Sequence, residues 1–416
     1  MTTWSIDRNR WPILFLGALA LGISGCASVP KEYDRDVLGP TERQFVESKP
    51  VVLQAGFRNL FEEGRRNKVL NLMEIGITAY RAGYRDEAMK TLEQARIEIE
   101  SVYSDNEAAR RARSIWYEEA EKDFKGEPYE RAMVYFYLGL LYLEVADYGN
   151  ARASFMSGLL QDAFAEEKQN SSDFAAFLYL AGWCALRMGD EKLAQEHFKE
   201  FRLYRPDAPL PQSSDNTLLI VETGLSPRKL GDGVGHYQLV YRRGKGFDDV
   251  AAQFFKAGQW QTVYPVEDLF FQASTRGGRA IDRIVDGQIQ FKENTRAVGT
   301  NLSVVTQDAT LAGVSAAAGG GLGVGFAALS LISVAADGMS ATANVRADVR
   351  YWRGLPDTIH ISPIEATAGD AIPVRFLDKQ GSLVPGLTDT ATVTADENGA
   401  GVAFATSRRP NTGVRP

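Results

Sequence analysis

The chain has 416 residues, of which 44% are hydrophobic and 24% are charged, and its formal net charge is -7. These values are typical of globular proteins and exclude a wholly disordered chain, a collagen-like chain and a polytopic membrane protein. The acidic balance argues against a nucleic-acid partner, because nucleic-acid-binding domains usually carry a basic excess. Two cysteines and three histidines are too few for a disulfide framework or a multi-Cys/His zinc site. The length predicts two or three domains.

The first 25 residues are typical of an export signal. Arg8 and Arg10 precede an uncharged run over residues 11–23, which is too short to span a membrane comfortably and suits the apolar part of a signal peptide. Two small residues and then Cys26 follow this run. The ending resembles the lipobox of bacterial lipoproteins, and an ordinary signal peptide with a chance cysteine stays open as the alternative.

The resemblance to bacterial lipoproteins implies a lipid anchor on Cys26. In that family the cysteine thiol takes a diacylglycerol, and several acyl chains, palmitate among them, hold a protein to a membrane almost permanently. Position 27 is alanine rather than aspartate, which in lipoproteins implies sorting to the outer membrane, on its periplasmic side. Residues 26–50 contain three prolines and many charges and predict a tether between membrane and fold.

Residues 51–206 have the apolar spacing of α-helices, and Pro128 is the one proline between Pro50 and Pro206. Three segments share one pattern of small, aromatic and leucine residues. Their members are Ile75, Gly76, Gly83, Ala88, Leu92 and Ala95; Tyr135, Leu138, Gly139, Tyr142, Ala151, Phe155 and Gly158; and Gly182, Gly189, Ala194, Phe198 and Pro206. The pattern resembles the tetratricopeptide repeat, whose helix pairs stack because no pair can bury its apolar face alone.

The pattern also predicts how each helix pair packs. The small residue of the first helix lets the second helix approach, an alanine fills the crossing point, and an aromatic residue or leucine closes the layer. Gly76 and Gly139 lie 63 positions apart and Gly139 and Gly182 lie 43 apart, against a repeat of about 34. We therefore expect a short irregular stack, with insertions near residues 97–128, where one more helix is expected, and 163–171.

After residue 206 helical periodicity gives way to short β-rich runs, so the predicted fold class is α+β: an N-terminal all-α repeat domain followed by a β-rich region. The predicted strands are 218–222, 237–241, 260–266, 358–364, 372–377, 391–395 and 401–405, with a helix at 280–297. The predicted units are the repeat domain 51–206, an α+β domain 207–365 and a small β-rich region 366–416.

One segment of the β-rich half, residues 311–336, is uncharged and contains six glycines. Its length would allow a membrane span, but five clustered glycines weaken a helix by about 1 kcal/mol each. Three interpretations stay open: a buried hairpin or sheet-packed segment, reversible contact with lipid or a pore, and a filler for a partner's groove. A formal dinucleotide fingerprint beginning at Gly323 lacks the required strand–turn–helix setting.

No catalytic pattern emerges from the sequence. His197, His236 and His360 lack neighbouring residues that would form a known catalytic motif, and Cys184 lies among apolar residues of a predicted helix. We therefore expect no enzymatic activity, no cofactor and no metal. The alternative is an envelope polysaccharide- or peptidoglycan-associated enzyme or factor, which would need a pocket joining His236 or His360 to two carboxylates.

The chain as a whole is similar to a family of bacterial outer-membrane lipoproteins that contain tetratricopeptide repeats and have no assigned activity. The similarity covers residues 20–375 and rests on Cys26, on the runs 125–130 and 138–142, and on the glycine-rich segment followed by residues 347–356. It implies a role in cell-envelope assembly or maintenance, with outer-membrane lipid and an envelope protein or peptide as partners. A further possibility is a membrane-active or secretion-associated role through residues 311–336.

The expected partner site is the concave surface of the helix pairs. Candidate contact residues on that surface are Tyr80, Tyr84, Tyr142 and Arg152.

Overall fold

The computed structural model has a helical N-terminal part followed by a β-rich part, which confirms the predicted α+β class. It describes residues 38–101, 123–163, 174–232, 238–274, 348–396 and 399–408. The predicted signal peptide, Cys26, His236, the helix at 280–297 and the glycine-rich segment 311–336 lie outside these ranges. Most of the predicted insertions, over residues 102–122 and 164–173, also lies outside them.

The N-terminal part consists of helices packed in pairs along the chain. The pairs are α1 (Pro40–Glu47) with α2 (Val51–Glu62), α3 (Lys68–Arg81) with α4 (Arg85–Ser101), α5 (Pro128–Glu144) with α6 (Tyr148–Ala163), and α7 (Ala175–Arg187) with α8 (Glu191–Tyr204). Helix α1 buries Val46, so this part of the predicted tether belongs to the folded domain instead. No helix within the described ranges is both long and apolar enough to cross a membrane.

Glycines set the close approach of the two helices in each of the last three pairs. A β-carbon added to Gly76 would lie 2.6 Å from the Leu92 side chain, and one added to Gly182 would lie 2.7 Å from Phe198. Gly139 meets Phe155 in the same way. In all three pairs the bulky residue follows the glycine by sixteen positions, so the predicted packing is confirmed.

The turn that follows α5 contains a strained residue. Ala146 has a φ of 57°, whereas glycine occupies the equivalent position of the neighbouring pairs, with φ of 82° at Gly83 and 78° at Gly189. A β-carbon in this left-handed region costs about 1–2 kcal/mol, and the greater freedom of unfolded glycine offsets part of that. We expect Ala146→Gly to raise the free energy of unfolding by about 0.5–1 kcal/mol, measured by urea denaturation.

The control for this substitution is Ala82→Gly, in the equivalent turn after α3. Ala82 has a φ of -84°, in the right-handed region. Glycine relieves no strain there, so this change should lower the free energy of unfolding by up to about 1 kcal/mol. Equal effects at the two positions would show that the conformation of Ala146 is not strained.

The β-rich part forms one eight-stranded sheet with the order β5-β4-β8-β9-β10-β1-β7-β6 and a separate hairpin of β2 and β3. The strands are β1 (Thr217–Thr223), β2 (Arg228–Asp232), β3 (Gln238–Arg242), β4 (Ala251–Lys256), β5 (Gln259–Thr262), β6 (Tyr264–Asp268), β7 (Thr358–Ile364), β8 (Ala371–Leu377), β9 (Leu383–Ala395) and β10 (Gly401–Thr406), with a short helix α9 (Leu269–Ser274) after β6. All pairs are antiparallel except β1 with β10. Strands from the predicted units 207–365 and 366–416 therefore share one sheet.

The sheet bends into a half-barrel with two cores. On β1, Leu218 and Ile220 belong to the core shared with the helices, whereas Leu219 and Val221 belong to a second core inside the half-barrel. Phe254 of β4 also faces this inner core. Because successive residues of a strand point to opposite faces, the helices cover the outside of the sheet at β10, β1 and β7.

Candidate functional site

The sheet covers the inner face of the helical stack, where a partner was expected. Helices α5 and α7 are buried around almost their whole circumference. From α5 the hydroxyl of Tyr137 donates a hydrogen bond to Glu222 of β1, and the backbone N–H of Ala176 in α7 donates to Glu267 of β6 over 3.1 Å. The chain's own sheet therefore occupies surface of α5 and α7 that an open concave face would expose.

Residues 348–357, which precede β7, contact both the helices and the β-rich part, and we call them the junction segment. The Trp352 ring is fully buried and lies 5.9 Å from the Tyr137 ring. The backbone N–H of Trp352 donates to Glu130 Oε1 over 2.6 Å, and the Trp352 carbonyl accepts from Ser226 Oγ over 2.7 Å. Helix α3 holds the same segment, since Glu74 Oε1 accepts from the N–H of Arg353 over 2.8 Å.

The run 125–130 meets the junction segment at the start of α5. Glu130 Oε2 accepts from the backbone N–H of Glu127 over 2.6 Å, which caps the helix, while Oε1 holds Trp352. Glu127 in turn pairs with Lys229 of the β2–β3 hairpin over 2.6 Å, and both side chains are buried. Two runs that carried the family resemblance in the sequence are therefore parts of one packing arrangement.

Burial raises the pKa of Glu130 to about 7 from its ordinary 4.5. Between pH 4.5 and 7 the folded protein then holds a proton that the unfolded chain has released, so the free energy of unfolding falls as the pH rises. Glu130→Gln removes this titration. We expect the stability advantage of the natural chain over the variant to shrink from pH 4.5 to pH 7 in urea denaturation series, and a pH-independent difference would contradict the shift.

Arg81 of α3 and Glu222 of β1 form a buried ion pair between a helix and the sheet. The Arg81 Nη2 to Glu222 Oε2 distance is 2.5 Å, and the two side chains are 6% and 0% exposed. Arg81 Nη1 also donates to the carbonyl of Gly354 over 2.7 Å. One arginine thus connects α3, the sheet and the junction segment.

A second charged cluster surrounds Arg243, which pairs with Asp268 over 2.6 Å and with Asp357. Burial and the nearby Asp268 raise the pKa of Asp357 to about 7. His360 lies on β7, and its Nε2 is 2.9 Å from the Thr223 hydroxyl. Burial lowers the pKa of His360 to about 4, so its imidazole is neutral near pH 7. His360 is fully buried and hydrogen-bonded to Thr223, so it is a packed core residue.

Metal-binding chemistry finds no support in the described part of the chain, where no group of three His, Cys, Asp or Glu side chains could hold an ion. Cys184 is buried in α7, and burial raises the pKa of its thiol. His197 of α8 is also buried, and burial together with the charge of Arg152 lowers its pKa.

The four residues expected to line a partner surface occupy different environments. Tyr80 is buried, contrary to expectation, with its hydroxyl donating to Glu144 over 2.9 Å and its ring packed edge-on against Phe404 of β10. Tyr142 is half-buried beside Glu93, and Arg152 is half-buried near Cys184. Of the four, only Tyr84 is exposed, with 42% of its surface open in the turn between α3 and α4.

A surface that the sequence did not indicate lies on the outside of β5, β4 and β8, beyond the area that the helices cover. Phe255 and Trp260 are cross-strand partners and lie 39% and 37% exposed with ring centroids 5.2 Å apart. The Arg375 guanidinium stacks over Trp260 at 4.1 Å and donates to Gln253 over 2.6 Å. Strand β4 reads Ala-Ala-Gln-Phe-Phe-Lys, without alternation of apolar and polar residues, so the sequence contains no signal of which face remains open.

The buried hydrogen bonds and ion pairs thus connect the helical stack to the half-barrel. The exposed rings of Phe255 and Trp260 lie away from that contact. Comparison with known proteins adds no relative to this description: no family model, no curated protein and no solved structure matches the chain.

Proposed function

We propose that the protein is a non-enzymatic scaffold of the cell envelope, anchored by lipid on Cys26 to the periplasmic side of the outer membrane. The observation that carries the proposal is the stack of helix pairs with equivalent glycine contacts at Gly76, Gly139 and Gly182. This packing supports a tetratricopeptide-like repeat, an architecture whose extended surfaces bind other proteins. The buried ion pair between Arg81 and Glu222 further supports the scaffold proposal, since it connects the stack to the sheet.

The partner surface that we propose lies along the turns of the helix pairs. Each of the last three pairs exposes a large apolar side chain in the turn between its two helices, namely Tyr84, Val145 and Met188. Because the pairs stack, these turns follow one another along one edge. Solvent-exposed apolar residues in successive turns favour an envelope protein or peptide as the partner.

Site-specific photocrosslinking in cells tests this surface. We expect a crosslinker at position 84, 145 or 188 to give one and the same adduct, and a crosslinker at Leu203, an exposed apolar residue on the outer side of α8, to give none. Absence of a shared adduct from the three turns, or the same adduct from Leu203, would contradict the scaffold surface.

Metabolic labelling with palmitate tests the anchor separately. The chain has two cysteines, Cys26 and Cys184. We expect Cys26→Ser to abolish the label. The variant should also be released from membranes, because stable anchoring needs acyl chains. Cys184→Ser is the matched control and should keep the label. Label that survives Cys26→Ser would contradict the lipobox.

A further inference from the structure

The outer face of β5, β4 and β8 carries an apolar row beside a polar row. Cross-strand pairing places Trp260 of β5 beside Phe255 of β4. Phe254 pairs with Val374 of β8, so the next residue along each strand brings Pro373 beside Phe255. The neighbouring row across the same strands contains Thr262, Gln253 and Arg375. Neighbouring strands lie about 4.8 Å apart, so the apolar row is about 10 Å long.

The ring faces in the apolar row are held in place before any ligand arrives. The Trp260 ring lies 5.2 Å from the Phe255 ring, and the Arg375 guanidinium lies over one face of the indole at 4.1 Å. Arg375 is itself fixed by its Nε and Nη2 hydrogen bonds to Gln253 Oε1, at 2.9 and 2.6 Å. A preformed aromatic surface loses little side-chain entropy on binding.

Neutral hydrogen-bonding side chains dominate the surroundings of the rings. Strand β9 continues the face with Thr388, Thr390 and Thr392, all exposed. This pairing defines the outward positions of β4, β5 and β8 and of residues 388–392 in β9. Among these positions Arg375 is the one charged side chain. Asp389 points to the other face, where it accepts from the N–H of Thr406. These positions therefore offer aromatic rings, one amide, one guanidinium and several hydroxyls, and none of them carries a carboxylate.

We propose that this face, which we call the aromatic row, binds an extended β-linked polysaccharide. A pyranose ring has an apolar C–H face and hydroxyl edges, so its face can stack on Phe255 and on the face of Trp260 opposite Arg375, because aromatic ring faces carry partial negative charge. Its hydroxyl edges then reach Gln253, Arg375 and the threonines. The apolar row is one residue wide and about as long as a disaccharide, whereas a protein interface needs a broader apolar centre excluded from water.

Calorimetric titration of the full mature chain tests the proposal. The probes are the tetramers of β-1,4-linked N-acetylglucosamine and of β-1,4-linked glucose, which present flat ring faces. We expect at least one of them to bind the natural chain, and Trp260→Ala to weaken that binding about tenfold through loss of the stacking surface. Trp260→Phe keeps a ring and should restore most of the affinity.

Matched controls separate the aromatic row from general effects. Leu203→Ala removes an exposed apolar side chain from α8 and should leave affinity unchanged, and thermal unfolding checks that every variant folds. Binding of neither tetramer to the natural chain would overturn the proposal, as would equal binding by the natural chain and Trp260→Ala. Binding of an extended apolar peptide in place of both sugars would overturn it in favour of a protein partner.

Discussion

Replacement of Arg81 by methionine should lower the free energy of unfolding by about 3–5 kcal/mol, because it leaves a buried carboxylate without its cation. Glu222 is fully buried, and its other oxygen already accepts from the Tyr137 hydroxyl. Methionine fills much of the arginine's volume, so the loss reports the charge rather than a cavity. Urea denaturation followed by circular dichroism measures the change.

Two comparisons make this expectation specific. Arg96→Met removes ion pairs on α4 to Glu93 and Glu100, whose side chains are 29% and 47% exposed, and solvent screening limits the cost to less than about 1 kcal/mol. In a Glu222→Gln background, Arg81→Met should cost much less than it does alone, because no buried charge is left behind. Equal losses in the two backgrounds would mean that the pair does not hold the sheet to the helices.

Trp352→Ala should also cost about 3–5 kcal/mol, because it opens a cavity between the helices and the sheet. The Trp352 ring is fully buried and lies against Tyr137. Trp260→Ala is the matched control, since its indole lies on the outside of the sheet and its removal should change stability by less than about 1 kcal/mol. A small loss at Trp352 would indicate that the junction segment is not part of the core.

The helix pairs were predictable because their packing is local. A glycine and the bulky residue that meets it, such as Gly76 and Leu92, are sixteen positions apart and belong to one pair of helices. Periodicity and small residues therefore carry enough information to predict which faces touch. The strands at 218–222, 358–364, 372–377 and 401–405 were also predictable from local sequence, since each is a short run rich in β-branched or aromatic residues.

The β4–β5 hairpin was less predictable, and the segment 260–266 was expected to be one strand. It is two, β5 and β6, which flank Val263. The turn of the hairpin consists of Ala257 and Gly258, with φ of 51° and 80°. Such a turn usually contains Asn-Gly or Asp-Gly, so an alanine at its first position hides the signal.

The burial of the stack's inner face could not be predicted from the sequence. It depends on contacts between residues that are far apart in the chain, such as Tyr80 with Phe404 and Glu130 with Trp352. An exposed tyrosine and a tyrosine packed against a distant strand look alike in a helical pattern. Tyr80 was for this reason expected on the surface, and the open aromatic row around Trp260 was not expected at all.

The central claim is that the helical stack and the half-barrel form one folded unit with a shared core. Fluorine NMR of the chain labelled with 5-fluorotryptophan tests it directly, because Trp183 lies in α7, Trp352 in the junction segment and Trp260 on the sheet. We expect the native resonances of all three to disappear at the same urea concentration. A Trp183 resonance that keeps its native position after that of Trp260 is lost would show that the stack folds without the sheet.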